Sequence, residues 1–171
     1  MDDMLQTTAL RVCKTLSALS VTLAVAESCS GGALCSALTA LPDCGKPFEQ
    51  GFITYTKESK IRALKVERSA IERYGVISAE TARAMARGAR KEARTTFGIS
   101  ITGVAGPDTA EGKPVGLVYI ACAGPERTME KCFQFEDSGR DTVRYRSAYQ
   151  ALLLLESMLE ILPHSRVTPI K

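Results

Sequence analysis

The sequence predicts an α/β protein, a three-layer α/β/α sandwich around a mixed, mostly parallel sheet of about five strands. Two observations carry this. Segments with helical apolar spacing alternate with short β-rich runs, which is the pattern of strands joined by crossover helices. The last two runs, Val115 to Ala123 and Thr128 to Phe135, are linked only by Gly124-Pro-Glu-Arg127. That link is too short for a parallel crossover, so the pair should be an antiparallel hairpin.

The elements follow in order. Leu5, Ala9, Val12, Cys13, Leu16 and Leu19 share one face of an opening helix, and Val21 to Ala26 is the first strand. Glu27-Ser-Cys-Ser-Gly-Gly32 punctuates its end. Ala33 to Ala40 can then be helical until Leu41-Pro-Asp-Cys-Gly45 breaks it. Phe48 to Tyr55 reads as the second strand, with Lys57 to Leu64 and Ser69 to Arg73 as short helices. Ser78 is a good N-cap for a helix over Ala79 to Thr96, because its hydroxyl can accept from a first-turn amide. Phe97 to Thr102 is the third strand, followed by the loop Gly103 to Pro114 and the hairpin. A final helix from Arg140 to Ile161 is stopped by Pro163.

With 171 residues and 45% hydrophobic composition, the chain can form one globular domain with a real core, and no linker, repeat or low-complexity tract divides it. A formal charge of +3 is too small to signal a nucleic-acid binder, yet it does not repel an anionic substrate. No basic head precedes an apolar stretch at the N-terminus, and Ala151 to Leu155 is far short of a membrane span. The expectation is a cytoplasmic protein with no membrane partner. Six cysteines without a C-x-x-C pair, beside the lone His164, read as reduced thiols rather than a zinc site or disulfide framework.

Ser28, at the end of a buried strand and before Gly31-Gly32 and a helix, sits where a hydrolase nucleophile would. Amides at that helix start could steady an oxyanion or phosphate. Ser28 and Ser30 read equally well as cap and turn residues. If either attacks, the scarcity of histidine argues against a Ser-His-Asp triad and leaves a lysine base, with Lys57, Lys60 and Lys113 as candidates near strand ends. Cys29 has no histidine partner to activate it. Gly112-Lys113 fails as a phosphate loop, since Pro107 and Pro114 stand where that motif needs glycine and a hydroxyl residue. Arg83, Arg87, Arg90 and Arg94 form a basic stripe that reads as a solvated face interleaved with Glu80 and Glu92. Arg140 and Arg144 could reach an anion or pair with Asp137 or Asp141.

Ala26-Glu-Ser-Cys-Ser-Gly-Gly32, Gly51-Phe-Ile-Thr-Tyr-Thr-Lys-Glu-Ser-Lys60, Tyr74-Gly-Val-Ile-Ser-Ala-Glu-Thr81, Thr102-Gly-Val-Ala-Gly-Pro107 and Lys113-Pro-Val-Gly116 together closely resemble the CinA C-terminal domain family. The blocks occur in the family's order over roughly Leu5 to Leu162. The resemblance implies one amidohydrolase domain over residues 1–171 that hydrolyses the carboxamide of nicotinamide mononucleotide to the acid and ammonia, without metal or cofactor. By position in the motifs it implies Ser28 as nucleophile, Lys60 as base and Tyr55 in support. Substrate contacts would then fall on Ser30, Gly31 and Gly32, on Thr102, Gly103, Ala105 and Gly106, and on Arg140 or Arg144. The partner is a small nucleotide rather than nucleic acid, and a homo-oligomer is compatible with the reading.

Three departures accompany the resemblance. Ser30 stands where members often carry threonine, and the stretch between Pro107 and Lys113 is shorter than the family's glycine-rich one. The N-terminal domain of two-domain members has no counterpart in the sequence. The rival expectation, from a different class, is a catalytically silent nucleotide-sensing or protein-binding module related to competence or DNA damage. Amidase action on another small amide is a third.

Overall fold

The computed structural model describes residues 2–136 and 138–162. Along the chain run α1 (Asp2–Ala18), β1 (Leu23–Glu27), α2 (Ala33–Thr39), a 3-10 turn (Pro42–Gly45), β2 (Phe48–Ile53), α3 (Lys57–Leu64), α4 (Arg68–Tyr74), α5 (Ala79–Glu92), β3 (Phe97–Gly103), β4 (Leu117–Ala123), β5 (Thr128–Gln134) and α6 (Arg140–Glu160). The sheet order is β2-β1-β3-β4-β5. β1 pairs in parallel with β2 and β3, whereas β3–β4 and β4–β5 are antiparallel. The hairpin expected from the short Gly124–Arg127 link is present, and β2, β1, β3 and β5 all point the same way.

Strand alternation divides the interior into two layers. Leu23 and Val25 of β1, with Phe97, Ile99 and Ile101 of β3, face α1, α2 and α6 in the larger core. Ala24 and Ala26 face the other way, onto Leu64, Ile71, Met85 and Ala89 of α3, α4 and α5. Small side chains let α5 lie close to the sheet. A Cβ on Gly98 would meet the Ala86 carbonyl oxygen at 2.2 Å, and Ser100 Oγ donates to the Ala82 carbonyl at 2.6 Å.

Two expectations are corrected here. The helix predicted to run to Thr96 stops at Glu92, because Ala93 caps it and Arg94 turns to φ 56. Thr96 instead exchanges two hydrogen bonds with Thr22, its amide donating to Thr22 Oγ1 and its Oγ1 accepting from the Thr22 amide, where β1 and β3 begin. Arg94 therefore leaves the basic stripe. Arg83 of that stripe is paired with Glu80 and Glu130, and Arg90 donates to the Thr96 carbonyl. The second correction concerns the thiols. Cys13 of α1 and Cys44 of the 3-10 turn are joined in a disulfide with a Cα–Cα separation of 5.1 Å, because the turn packs on α1. Asp137, the helix stop at Pro163 and His164 lie outside the described residues. No helix among the described residues is long and apolar enough to cross a membrane.

Candidate active site

The carboxyl ends of the three parallel strands meet at one edge of the sheet, where open α/β folds place their ligands. Ser28 follows β1, Thr54 and Tyr55 follow β2, and Thr102 to Gly106 close β3. The Ser28 amide donates to the Ile101 carbonyl and the Thr54 amide to the Glu27 carbonyl, so the ladders hold these residues in strand register. Alternation then sends the Ser28 side chain to the α3 side, two residues after Ala26, and the Glu27 side chain to the α2 side.

Helix α3 is started by a capping box between Thr56 and Ser59. One turn in, it presents Lys60 on the same buried face as Leu64. Lys60 has no exposed surface. Its Nζ donates to the Thr54 carbonyl at 2.6 Å and to Ser28 Oγ at 2.8 Å. Burial, which disfavours the ammonium, brings its pKa from 10.5 down to about 8 against opposing pulls from Cys29 and Glu111. The other two candidate bases lie elsewhere. Lys57 pairs with Glu72 at 3.3 Å, and Lys113 donates to the Ile77 carbonyl.

Glu27 was not singled out from sequence, and it organises the turn beyond Ser28. Its buried carboxylate accepts from the amides of Gly32 (2.9 Å), Leu34 (3.3 Å) and Cys35 (2.8 Å), holding the start of α2 against the end of β1. The signal was an acidic residue ending a strand just before a Gly-Gly helix start. This corrects the reading that Gly31 and Gly32 offer amides to substrate. The Gly32 amide is taken by Glu27, and the Gly31 amide donates to the Ser28 carbonyl at 3.1 Å. The amides of Cys29 and Ser30, by contrast, donate to no other described residue. Ser30 Oγ is buried without a hydrogen-bond partner, so its hydroxyl makes no hydrogen bond to the serine–lysine pair. Burial pushes the Cys29 thiol up to about 12, which leaves it protonated beside Ser28.

A cavity of about 350 Å³ opens at this edge, lined by Ser28, Cys29, Tyr55, Arg140, the 102–108 segment and the 76–77 backbone. The volume suits a small organic ligand. Tyr55 is 59% exposed at its mouth, and its hydroxyl accepts from Arg140 Nη2 at 2.9 Å rather than contacting Ser28. Arg140 Nη1 also donates to the Gly106 carbonyl. Thr102 lines the cavity with its hydroxyl donated to the Val76 carbonyl at 2.8 Å. Gly103 is required for packing, since a Cβ there would meet the Leu117 carbonyl oxygen at 2.4 Å. Ala105 and Gly106 line the cavity. Arg144 does not. It lies behind the Ser30–Gly32 turn, its Nε donating to the Ser30 carbonyl at 2.9 Å and its Nη1 pairing with Asp141 at 2.9 Å. Sequence spacing put Arg140 and Arg144 on one helical face, and one turn of rise carries Arg144 away from the cavity.

Fold and site together define an α/β protein with a buried lysine aimed at a serine, both at the carboxyl edge of a doubly wound sheet. Among the described residues no group of three or more His, Cys, Asp or Glu is placed to hold a metal. The CinA C-terminal domain family matches residues 5–159, and the chain belongs to that family. A CinA-like protein of Acaryochloris marina is 46% identical over 142 residues, covering 81% of this chain and 33% of its own length. One from a Cyanothece species is 45% identical over 148 residues, covering 85% and 35%. The chain thus spans about a third of the length of these curated relatives. The structure of a competence/damage inducible protein, CihA, from Agrobacterium tumefaciens superimposes with a TM-score of 0.88 at 31% identity, over 92% of this chain and 96% of that one. A CinA superfamily protein from Escherichia coli does so with 0.86 at 33% identity, over 90% of each chain.

Proposed function

We propose that this protein hydrolyses the carboxamide of nicotinamide mononucleotide, giving nicotinic acid mononucleotide and ammonia, with Ser28 as nucleophile and Lys60 as general base. The observation that carries the reading is the 2.8 Å contact between Lys60 Nζ and Ser28 Oγ, made by a lysine whose burial brings its pKa to about 8. Near neutrality a useful fraction of that amine is free to accept a proton. Ser28 Oγ attacks the carboxamide carbon as its proton passes to Lys60 Nζ. The tetrahedral oxyanion is stabilised by the uncommitted amides of Cys29 and Ser30. Lys60 then protonates the departing nitrogen, ammonia leaves, and an acyl ester remains on Ser28. Water attacks that ester as Lys60 takes one of its protons, and the proton returns to Ser28 Oγ as the acid departs.

Binding draws on groups of both signs in one cavity. Nicotinamide mononucleotide carries a cationic pyridinium and an anionic phosphate, and the cavity is lined by Asp108 and Arg140. Two of the five Arg140 donors are committed to Gly106 and Tyr55, which orients the guanidinium and leaves the rest for an anion. Tyr55 is thereby placed at the mouth as a support for Arg140.

The test is to incubate the purified protein with nicotinamide mononucleotide and quantify ammonia and the acid. Ser28→Ala and Lys60→Ala should each lower kcat by about a thousandfold or more, in line with losing one member of a unit that acts together. Full activity in either variant sinks the dyad. Tight binding without ammonia release by the unmodified protein sinks the amidase reading in favour of a sensing module.

A further inference from the structure

The 103–116 loop is tied to the α4–α5 connection in the cavity wall by two of its side chains, Glu111 and Lys113. Ala110 and Lys113 pair across a two-residue turn whose central residues, Glu111 and Gly112, both have positive φ, 51 and 68. A turn of this kind favours glycine, asparagine or aspartate, and glutamate in a left-handed conformation is uncommon. Here the conformation has a visible use. The Glu111 carboxylate reaches the α4–α5 connection and accepts from two consecutive backbone amides, Val76 to Oε1 and Ile77 to Oε2, each at 3.1 Å. Gly75 leaves room for it, since a Cβ there would meet Glu111 Oε2 at 2.6 Å. The carbonyls of the same segment are also occupied, Val76 by Thr102 Oγ1 and Ile77 by Lys113 Nζ.

We propose that Glu111 is a positioning residue: by latching the 103–116 loop onto the Val76–Ile77 backbone, it fixes the wall of the cavity into which Ser28 opens. The proposal rests on the serine–lysine chemistry argued above. Val76, Ile77 and Ala110 all line that cavity, so a loose latch displaces substrate relative to Ser28, and small misplacements of bound substrate are expensive in rate. The titratable or charged groups lining the cavity are Cys29, Tyr55, Asp108 and Arg140, Glu111 and Lys113 both bind the Val76–Ile77 wall from behind it, and of these Cys29 and Glu111 pull on Lys60. The Cys29 thiol stays neutral until about pH 12, so its pull on Lys60 is absent at working pH. A carboxylate favours the lysine ammonium, so removing it lets Lys60 lose its proton at lower pH.

The test compares the unmodified protein with Glu111→Gln and Glu111→Asp. Glutamine keeps the length but can accept at one oxygen only, leaving its NH2 against an amide donor. Aspartate keeps the charge and shortens the reach. In Glu111→Gln, hydrogen exchange at the Val76 and Ile77 amides should accelerate about tenfold or more. Its kcat/KM should fall about tenfold, and the acid limb of its pH–rate profile should move to lower pH. Glu111→Asp should speed exchange and lower kcat/KM with the acid limb near its original place, and it stands in where the glutamine variant fails to fold. Unchanged exchange at both amides overturns the latch. Faster exchange with kcat/KM and the acid limb both unmoved overturns the positioning role. Failure of the substrate reading shows separately, as an unmodified protein that releases no ammonia. The same pH comparison then runs on Ser28 sulfonylation by phenylmethanesulfonyl fluoride, followed by intact mass, and an identical limb in all three proteins overturns the proposal.

Discussion

Burying Lys60 completely disfavours the folded chain whenever its amine carries a proton, and this gives the residue a signature separate from catalysis. Its folded pKa of about 8 lies below the unfolded value of 10.5. Below pH 8 the penalty is fully present. Between 8 and 10.5 the unfolded chain holds the extra proton, so stability rises with pH, and above 10.5 the penalty is gone. The span corresponds to roughly 3 kcal/mol. Lys60→Met should therefore gain on the unmodified protein most at pH 7 and lose that relative advantage as pH is raised to 10, measured by urea unfolding. A gap that does not narrow means the ammonium is better solvated than its position implies. The local sequence around Ser28 could not reveal this pair, because the partner lies 32 residues away and is brought in by strand alternation and the α3 face. Family resemblance chose Lys60 over Lys57 and Lys113; in the structure Lys60 contacts Ser28, Lys57 pairs with Glu72 and Lys113 donates to Ile77. Glu27 was legible in principle as an acid at a helix start. Of the two readings open for Arg144, pairing with Asp141 is the one found, since periodicity reports a face of a helix and not how far along its axis the cavity extends.

Among the elements, α5 shows how a close helix–sheet contact is written in small residues. Ala82, Ala86 and Ala89 of the helix and Gly98, Ser100, Ala121 and Ala123 of the sheet are all buried or, for Gly98, without room for a side chain. Gly98→Ala should destabilise by about 2 kcal/mol or more through overpacking against the Ala86 carbonyl, read as a lower urea midpoint at unchanged m-value. A neutral result would show that α5 can back away from β3. Most elements were readable from sequence because apolar period, N-cap Ser78 and the short Gly124–Arg127 link all point to one structure. The end of α5 was not, since Ala93-Arg-Thr-Thr96 contains neither glycine nor proline. What stops it is the left-handed turn at Arg94 together with the Thr22–Thr96 hydrogen bonds, a tertiary cause that no local propensity encodes.

At the scale of the molecule, the Cys13–Cys44 disulfide closes a loop of sequence separation 31 around β1 and α2. Loop-closure entropy makes such a link worth about 4 kcal/mol, so reduction should lower the urea midpoint while leaving the fold intact. Equal midpoints with and without reductant, at a mass 2 Da apart, argue against the entropic account. Spacing alone could not pair these cysteines, because proximity depends on how the 3-10 turn packs on α1. Under the proposed chemistry, the nucleophile, its base and the oxyanion donors all come from the stretch between β1 and α3, whereas most of the cavity wall comes from residues 76 onward. Reaction and recognition are thus carried by different lengths of chain. A change confined to the 103–116 loop would then alter what is recognised and leave the bond-breaking apparatus in place.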